Sequence, residues 1–212
     1  MEDMIKKSGA IWSHDGKAKR PHVVLTGGRH SGGYFNGRVV EENPILLDLV
    51  AFEMVARTEE AGVNIREIDR VVGPAMGAIE LAHSVARNIH RVRGKLCLSS
   101  YTEKEQDKMV FCTSYVLPGE NVLIVEDTTT TGGSVGRVLD AVLAKGGVPL
   151  PFLPVISNQT GCHDVRGMKI LSMVERKIET WAPEECPLCK MGSEALRPPK
   201  SQPNWQRLTA EY

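Results

Sequence analysis

The sequence lacks a charge excess, a disulfide framework and long hydrophobic runs. Basic and acidic residues each number 26 among its 212 residues, so the zero net charge argues against a chain-wide attraction to nucleic acid. An odd count of five cysteines favours a reduced, cytoplasmic protein. No run is long and apolar enough to span a bilayer, and residues 1–9 are too polar for a secretory signal. The hydrophobic content of 42% is enough for the core of one domain.

The most informative segment runs from residue 122 to residue 134. Val122–Val125 is typical of a buried parallel strand, two acids follow at its carboxyl end, and a helical apolar pattern begins after the next turn. Ligands of open parallel sheets bind beyond the carboxyl ends of the strands, where the N-terminus of a helix offers N–H groups to an anion. The turn therefore predicts a phosphate site, and the acids suit vicinal hydroxyls or Mg²⁺, so a sugar phosphate satisfies both. The acids are Glu126 and Asp127, and the turn is Thr128, Thr129, Thr130, Thr131, Gly132, Gly133 and Ser134.

This segment resembles the PRPP-binding motif of type I phosphoribosyltransferases, which consists of a hydrophobic strand, two acids and a Thr/Gly/Ser loop. The resemblance implies that Glu126 and Asp127 bind the ribose hydroxyls, that residues 128–134 hold the 5′-phosphate, and that Asp127 takes part in catalysis. It also implies Mg²⁺ as the cofactor, held indirectly by the two acids through PRPP or water. An ordinary strand–turn–helix with a polar loop is the alternative that the residues leave open.

Strand and helix patterns alternate from residue 68 to residue 156, which predicts an α/β fold with a parallel sheet flanked by helices. Asn43-Pro44 predicts the start of one helix, and Gly62 its end. The resemblance implies the twisted sheet of the type I phosphoribosyltransferase fold with a small N-terminal hood. We therefore expect a single domain over residues 1–212, with a hood at 1–42, an α/β core at 43–178 and a tail at 179–212.

A second strand-to-helix turn, with glycines at both ends, lies at residues 73–77. By itself this turn is equally consistent with a tight connection. It resembles the pyrophosphate loop of orotate phosphoribosyltransferases, from which it differs by one small replacement. That resemblance implies that Ala75, Met76 and Gly77 present backbone donors to the diphosphate of PRPP.

The charged segment from Thr102 to Lys108 has no apolar anchor and falls between two predicted strands. We expect a mobile loop here. The family resemblance implies that the loop closes over PRPP, often across a dimer interface, with Lys104 as a catalytic cation and Lys108 as a further PRPP contact. A solvated charged hairpin is the alternative.

Residues 25–35 resemble the N-terminal hood that lines the base site of orotate phosphoribosyltransferases. In that family, aromatic rings stack on the flat pyrimidine and backbone groups bind its edge. The resemblance implies base contacts from Thr26, Tyr34 and Phe35.

Asn158 is a further expected base contact, and it departs from the family pattern. It stands where the family carries an arginine that pairs with the orotate carboxylate. Loss of a bidentate cation weakens recognition of a carboxylate. Arg29 or Arg166 could substitute, so the identity of the base stays open.

The tail carries a Cys-x-x-Cys pair, Cys186 and Cys189. The surrounding residues 181–190 resemble the C-terminal end of one branch of bacterial and archaeal orotate phosphoribosyltransferases. Chemically the pair is half of a zinc site, which Cys162 and His163 could complete. A structural tail that packs on the core is the alternative.

The resemblance covers nearly the whole chain and predicts an orotate-type phosphoribosyltransferase. The reaction joins a nucleobase to PRPP, yields a nucleoside 5′-monophosphate and pyrophosphate, and belongs to pyrimidine nucleotide biosynthesis when the base is orotate. A cytoplasmic homodimer is expected. One alternative is a PRPP-binding regulator without turnover, although the chain shows neither a helix-turn-helix module nor a basic patch. The other is the same enzyme class acting on another base, such as a purine.

Overall fold

The computed structural model of the protein describes residues 1–197 and 199–212. These residues form two compact units, a core unit of Met1–Glu2 and Val40–Arg176 and a terminal unit of Asp3–Val39 and Lys177–Tyr212. The helices are α1 (Glu2–Lys7), α2 (Gly37–Glu41), α3 (Pro44–Glu60), α4 (Ile79–Arg93), α5 (Gly133–Ala144), α6 (Pro187–Lys190) and α7 (Gln202–Thr209), with a 3₁₀ turn at Ile65–Glu67. The strands are β1 (Ile11–Ser13), β2 (His22–Val24), β3 (His30–Ser31), β4 (Gly33–Phe35), β5 (Arg70–Pro74), β6 (Leu98–Glu105), β7 (Lys108–Val110), β8 (Asn121–Ile124), β9 (Glu126–Thr129), β10 (Val148–Pro149), β11 (Phe152–Asn158), β12 (Asp164–Val165), β13 (Met168–Glu175), β14 (Thr180–Trp181) and β15 (Ala195–Leu196).

The β-structure of the core unit is built around one extended segment, residues 121–129, which passes from β8 into β9 at Val125. β8 pairs in parallel with β5, and β9 pairs in parallel with β11. Between the two ladders, the Val125 N–H donates to the Val72 carbonyl at 2.9 Å. The ladders run in the orders β10-β8-β5-β6-β7 and β12-β13-β11-β9, with β7 and β12 antiparallel to their neighbours. The prediction of an α/β fold with a parallel sheet and flanking helices is confirmed.

Helices α3, α4 and α5 pack against these strands. Asn43 caps α3 as predicted, because its Oδ1 accepts the N–H groups of Ile45 and Leu46 at 3.2 and 3.1 Å and Pro44 occupies the first turn. α3 packs on α4, β11 and β13, α4 on β5 and β6, and α5 on β5, β7 and β8. Burial of aliphatic side chains holds the strands in register, so their carboxyl ends are fixed relative to one another. The fully buried residues of the central strands include Val71, Val72, Val122, Leu123 and Ile124.

The amino ends of β5 and β8 are closed by an ion pair between the buried Arg70 and the partly buried Glu120. Arg70 Nε and Nη2 donate to the two carboxylate oxygens of Glu120 at 2.7 and 2.8 Å. Arg70 Nη1 also donates to Ser100 Oγ at 2.7 Å, and the guanidinium lies 5.1 Å from the ring centroid of Tyr115. The bidentate contact from Arg70 lowers the pKa of Glu120. This edge of the sheet, which we call the amino edge, is therefore stabilised by groups that all have partners.

The terminal unit combines both ends of the chain. β1 pairs with β4, and a second sheet has the order β14-β3-β2-β15. The indole N–H of Trp12 donates to the Leu208 carbonyl at 2.7 Å. Residues predicted as hood and residues predicted as tail share one small apolar cluster, which comprises Trp12, Val23, Leu196 and Leu208 with Leu25, Tyr34 and Trp205 at its margin.

The predicted mobile loop between Thr102 and Lys108 is wrong as secondary structure. β6 continues to Glu105, and β7 returns antiparallel to it across the turn at Gln106 and Asp107. The segment itself has no apolar anchor, but the residue directly after it, Met109, is buried. Met109 is the ladder partner of Lys104 in the antiparallel pairing of β6 with β7. A charged segment can therefore be ordered by its immediate neighbour in the chain.

Among the described residues, none of the helices combines the length and the apolar character that crossing a membrane requires.

Candidate functional site

Two of the predicted motifs meet beyond the carboxyl ends of β5 and β8, a region that continues into β9 and that we call the carboxyl edge. A Cβ atom added at Gly77 would lie 3.0 Å from Oδ2 and 3.1 Å from Cγ of Asp127. The carboxylate of Asp127 thus lies directly against the backbone of the 73–77 turn, and any side chain at Gly77 would displace it. Because the sheet fixes both strands, the expected ribose-binding acid and the expected diphosphate turn face the same small volume.

Glu126 and Asp127 have different environments although they are adjacent. Glu126 is 4% exposed, and its Oε1 accepts the Asp127 N–H at 3.1 Å. Burial, followed by the nearby charge of Asp127, raises the pKa of Glu126 well above its usual range. Asp127 is partly exposed, and its Oδ1 accepts the Thr128 N–H at 2.7 Å. The pair therefore offers a buried carboxyl that resists ionisation beside a more exposed carboxylate.

The expected phosphate turn is shorter than the sequence suggested, because Thr128 and Thr129 are strand residues of β9. Gly132 precedes α5 with a left-handed φ of 73°, and a Cβ there would lie 2.7 Å from Val165 Cγ1. Both the backbone conformation and the space thus require glycine at this position. Since α5 begins at Gly133, residues 130–134 lie at its N-terminus, where backbone N–H groups and the helix dipole favour an anion.

Thr129 carries a polar atom that the protein leaves unused. The residue is 2% exposed, and its buried Oγ1 has no hydrogen-bond partner among the described residues. Buried hydroxyls normally have partners. Thr129 lies one strand position before the phosphate turn, so a bound ligand is a natural source of the missing hydrogen bond.

Sequence reasoning missed Arg137. Its Nη1 lies 3.6 Å from the position of a Cβ at Gly133, and its buried Nε has no partner among the described residues. Arg137 also lines a cavity of about 460 Å³ beside Thr131, Gly132 and Gly133. The signal was present, since a residue one helical turn after Gly133 lies on the same helix face, but the family motif ends before it.

The 73–77 turn provides fewer donors than the resemblance implied. The Ala75 N–H donates to the Thr102 carbonyl at 2.7 Å, so it belongs to the ladder between β5 and β6. Among the three expected residues, Met76 and Gly77 are left to bind a diphosphate. The peptide between Ala75 and Met76 is cis, and the Met76 side chain is 81% exposed.

Lys104 and Lys108 lie on the two arms of the β6–β7 hairpin and are both exposed. Thr102, two residues before Lys104, pairs with Pro74 at the start of the diphosphate turn. The register therefore places Lys104 on the strand that borders this turn. Lys108 lines a different cavity, of about 510 Å³, between β7 and α5.

Asn158 is buried at the end of β11, and its amide is used by its own loop. Its Nδ2 donates to the Cys162 carbonyl at 3.0 Å, and its Oδ1 accepts from the Thr160 N–H and hydroxyl at 3.1 and 2.8 Å. Its backbone carbonyl accepts the Arg176 N–H at 3.0 Å. Asn158 pairs with Glu175 in the ladder, and Arg176 is the exposed cationic residue that directly follows β13.

The two cations considered as substitutes are engaged elsewhere. Arg166 Nη1 donates to Asp140 Oδ1 at 2.8 Å and to the Gly136 carbonyl at 3.0 Å. Arg29 donates to the hydroxyl and carbonyl of Thr180 at 2.9 and 2.7 Å. Arg29 thus uses its Nε–Nη2 fork within the terminal unit, whereas Arg166 uses only Nη1 in its two bonds.

The other expected base contacts belong to the terminal unit. Thr26 is exposed, and its carbonyl accepts from Arg197 at 2.8 Å. Tyr34 packs against Trp205 with ring centroids 6.0 Å apart, whereas Phe35 is 5% exposed. Phe35 is therefore a core residue of its unit.

The Cys-x-x-Cys pair is completed by residues that sequence reasoning did not consider. Cys186 and Cys189 lie with His22 and His30 in the terminal unit. The suggested partners Cys162 and His163 belong to the core unit and are not members of this cluster. A histidine spacing of eight residues in a hairpin gives no recognisable motif.

A model of the phosphoribosyl transferase domain matches residues 40–149 of the chain. The chain is 35% identical over 190 residues to the orotate phosphoribosyltransferase of Pelotomaculum thermopropionicum, covering 89% of this chain and 94% of that protein. It is also 35% identical over 201 residues to that of Desulforamulus reducens, covering 94% and 95%.

Among solved structures, the orotate phosphoribosyltransferase of Mycobacterium tuberculosis in complex with Fe(III) dicitrate superposes with a TM-score of 0.60 at 20% identity, covering 82% of this chain and 93% of that chain. The enzyme from Aeropyrum pernix gives 0.58 at 19% identity, covering 82% and 92%. These structures show that the fold is shared.

Proposed function

The chain belongs to the orotate phosphoribosyltransferase family, and we propose that it transfers the 5-phosphoribosyl group of PRPP to orotate. The products are orotidine 5′-monophosphate and pyrophosphate, and the reaction is a step of pyrimidine nucleotide biosynthesis. The observation that carries the proposal is the contact between Asp127 and the Gly77 backbone at the carboxyl edge. It brings an acid suited to ribose hydroxyls against a turn suited to a diphosphate, on the strand that leads into the phosphate turn.

PRPP would bind along this edge in three parts. The N-terminus of α5, with residues 130–134 and the hydroxyl of Thr129, would hold the 5′-phosphate. Glu126 and Asp127 would hold the ribose hydroxyls. The N–H groups of Met76 and Gly77 would bind the diphosphate, and Arg137 would add a cation beside the phosphate turn.

The donor set fits Mg²⁺, because two adjacent carboxyl groups stand at the start of β9 and oxygen is the ligand that this ion prefers. Glu126 and Asp127 would hold it indirectly, and the ion would neutralise charge on the diphosphate. Catalysis by the chain's own residues is then positioning and electrostatics. Asp127 fixes the ribose so that the C1′–diphosphate bond breaks as the C1′–nitrogen bond forms, and Lys104 stabilises the charge on the departing pyrophosphate.

Recognition of the base is the part of the proposal in which this chain departs from the family pattern. Asn158 replaces the family's arginine, and the Asn158 amide is already hydrogen-bonded within residues 158–162. We assign the carboxylate of orotate to Arg176, which is exposed and hydrogen-bonded through its backbone to Asn158. The further proposed contacts of the base are Thr26 and Tyr34. Lys108 remains a proposed contact of PRPP. Phe35 is buried in the terminal unit and is therefore not kept among the proposed base contacts.

The proposal includes a homodimer in the cytoplasm. The homodimer follows from the family resemblance alone, and the cytoplasm is supported by the free cysteines, which suit a reducing compartment. Nucleic acid and membranes are not among the proposed partners.

The experiment is turnover of PRPP with Mg²⁺ against orotate, uracil, hypoxanthine, guanine, adenine and xanthine, measured as nucleotide formed. We expect orotidine 5′-monophosphate from orotate, and loss of turnover in Lys104→Ala and Asp127→Asn. The matched controls are Lys95→Ala and Asp69→Asn, at an ion pair 3.7 Å apart at the amino edge in which Lys95 is exposed and Asp69 partly buried; both variants should turn over normally per folded molecule.

Turnover of a purine in place of orotate would be consistent with the proposed mechanism but would show that the substrate is a purine. PRPP binding without turnover of any base would overturn the proposal that the protein is an enzyme, and would favour a PRPP-binding regulator. Arg176→Ala should raise the KM for orotate more than the KM for PRPP, and equal changes would remove Arg176 from the base site.

A further inference from the structure

Four side chains of the terminal unit converge on one point. His22, His30, Cys186 and Cys189 each offer a ligand atom, and these atoms all lie within 4.8 Å of one another. The first three residues are buried. We propose that this Cys₂His₂ cluster binds a structural Zn²⁺ ion, which joins the amino-terminal and carboxyl-terminal segments of the unit.

The spacing of the ligand atoms fits a tetrahedral zinc site. Cys186 Sγ and Cys189 Sγ lie 3.6 and 3.5 Å from His22 Nε2, and Cys189 Sγ lies 3.2 Å from His30 Nδ1. Bond lengths of about 2.3 Å to sulfur and about 2.05 Å to nitrogen give tetrahedral edges of about 3.5 Å between sulfur and nitrogen. The two imidazole nitrogens, now 2.9 Å apart, would need to separate to about 3.4 Å. Only small side-chain movements are therefore required.

The β2–β3 hairpin explains why both histidines face the same side. Val24 pairs with His30 in this antiparallel ladder. Side chains alternate along a strand, so His22, two residues before Val24, lies on the same face as His30 and diagonal to it. Their ring centroids are 5.0 Å apart.

The two cysteines are positioned by the short helix α6. Cys186 precedes the helix, Pro187 begins it, and Cys189 follows one turn later. The Cys189 N–H lies 3.5 Å from Cys186 Sγ and donates to it. A thiolate accepts such a bond readily, and two thiolates balance the charge of a divalent ion, so the ligated site is neutral.

Ser193 orients the ring of His22 for metal binding. The Ser193 hydroxyl donates to the Arg20 carbonyl at 2.6 Å, and the same oxygen lies 2.9 Å from His22 Nδ1. Since the hydroxyl proton is used, Nδ1 must carry the proton of the imidazole. His22 Nε2 then presents its lone pair to the cluster, as a zinc ligand must, with Ser193 as the outer partner that fixes the tautomer.

The ion would supply stability that the terminal unit otherwise lacks. The unit has roughly 70 residues, a size at which one hydrophobic core rarely suffices. Its apolar cluster has four buried members. The ion would directly join His22 and Cys186, which lie 164 residues apart in the chain. Because protein side chains supply all four ligands, no position is open for water or substrate, and the site is structural.

The test is the metal content of the full-length protein. The protein is purified under reducing conditions without a chelator, and its zinc is quantified by elemental mass spectrometry. We expect one zinc per chain. After replacement by Co²⁺, the spectrum should show tetrahedral d–d bands and a sulfur-to-metal charge-transfer band. Removal by a chelator should lower the melting temperature, and Zn²⁺ should restore it.

Variants locate the site. The double variant Cys186→Ser, Cys189→Ser should carry no zinc, whereas Cys162→Ser and His163→Gln, both exposed and outside the cluster, should carry the wild-type amount. Ser193→Ala keeps all four ligands and should weaken zinc binding about 10- to 100-fold in competition with a chelating dye.

Three outcomes would overturn the proposal. They are a wild-type protein that takes up no zinc after reduction and reconstitution, a cluster variant that retains it, and a disulfide between Cys186 and Cys189 in protein kept anaerobic throughout. The experiments on wild-type protein decide the matter even where a cluster variant does not fold. None of them measures phosphoribosyl transfer, so failure here leaves the proposed function untouched.

Discussion

The two edges of the core sheet carry polar groups of similar chemistry in opposite states. At the amino edge, Arg70 and Glu120 satisfy each other with a bidentate contact, and Asp69 Oδ2 accepts the Asn121 N–H at 3.0 Å. At the carboxyl edge, Thr129 Oγ1 is buried without a partner among the described residues, and burial keeps the pKa of Glu126 high.

The difference shows how one sheet serves two purposes. Partnered groups stabilise the fold, whereas unpartnered ones cost stability and are retained where a ligand completes them. Changes at the amino edge should therefore affect unfolding, and changes at the carboxyl edge should affect turnover.

The largest effect is expected from Glu120→Gln. It leaves the buried Arg70 without its countercharge, and because Glu120 is itself only partly buried we expect the loss to lie near the lower end of the range for buried pairs, at about 3 kcal/mol of unfolding free energy. Denaturant unfolding measures the loss, and kcat per folded molecule should stay unchanged. Glu53→Gln, in the half-exposed Arg57–Glu53 pair of α3, is the control and should cost at most about 0.5 kcal/mol.

The stability difference between wild type and Glu120→Gln should also depend on pH. Because Arg70 lowers the pKa of Glu120 in the folded protein, this carboxylate contributes stability above its unfolded pKa of about 4.3. The contribution is lost as pH falls through the lower folded pKa. The difference between wild type and Glu120→Gln should shrink below about pH 4. A difference that stays constant from pH 7 to pH 3 would contradict a charge-based role.

Asp127→Asn should have the next largest effect, on turnover rather than stability. We expect kcat/KM for PRPP to fall about 100- to 1,000-fold, as for loss of one preorganised electrostatic contact. Asp69→Asn is the matched control at the amino edge. Equal activity losses in the two variants would mean that the edges do not differ as described.

Gly132→Ala should combine both kinds of damage. A left-handed φ costs an alanine about 1–2 kcal/mol, and overlap with Val165 adds about 1–3 kcal/mol. Gly94→Ala is the control, because Gly94 has φ 71° but open space around its Cβ position. Thermal unfolding and the KM for PRPP should change more in Gly132→Ala than in the control.

The smallest expected effect is a difference in unfolding free energy between valine variants of two buried threonines. Thr58 Oγ1 donates to the Met54 carbonyl at 2.7 Å, whereas Thr129 Oγ1 has no partner among the described residues. Thr58→Val should therefore cost about 1 kcal/mol of stability. Thr129→Val should cost less than that and raise the KM for PRPP. A larger stability loss at Thr129 would place its hydroxyl in the fold instead of the site.

Helix α3 illustrates how far pattern alone reaches. Its start follows from Asn43 and Pro44, because capping is a contact between adjacent residues. Its buried side could not be read from the sequence, since apolar residues occur around most of the helix. In the structure Leu46, Val50, Met54 and Val55 are buried, while Ile45, Leu49 and Phe52 are exposed.

The sequence by itself determined the order of strand, acids, turn and helix from residue 122 onward, and with it the expectation of a sugar-phosphate site. Those features depend on neighbours along the chain: a buried aliphatic strand, adjacent carboxyl groups, and a glycine that permits a left-handed turn before a helix.

Tertiary structure alone decided which groups are left for a ligand. The Ala75 amide is used by Thr102, the Asn158 amide by its own loop, and the cysteines meet two histidines more than 150 residues away. Hydrogen-bond partners and metal ligands depend on distances between segments, which local patterns of hydrophobicity and turn residues do not encode.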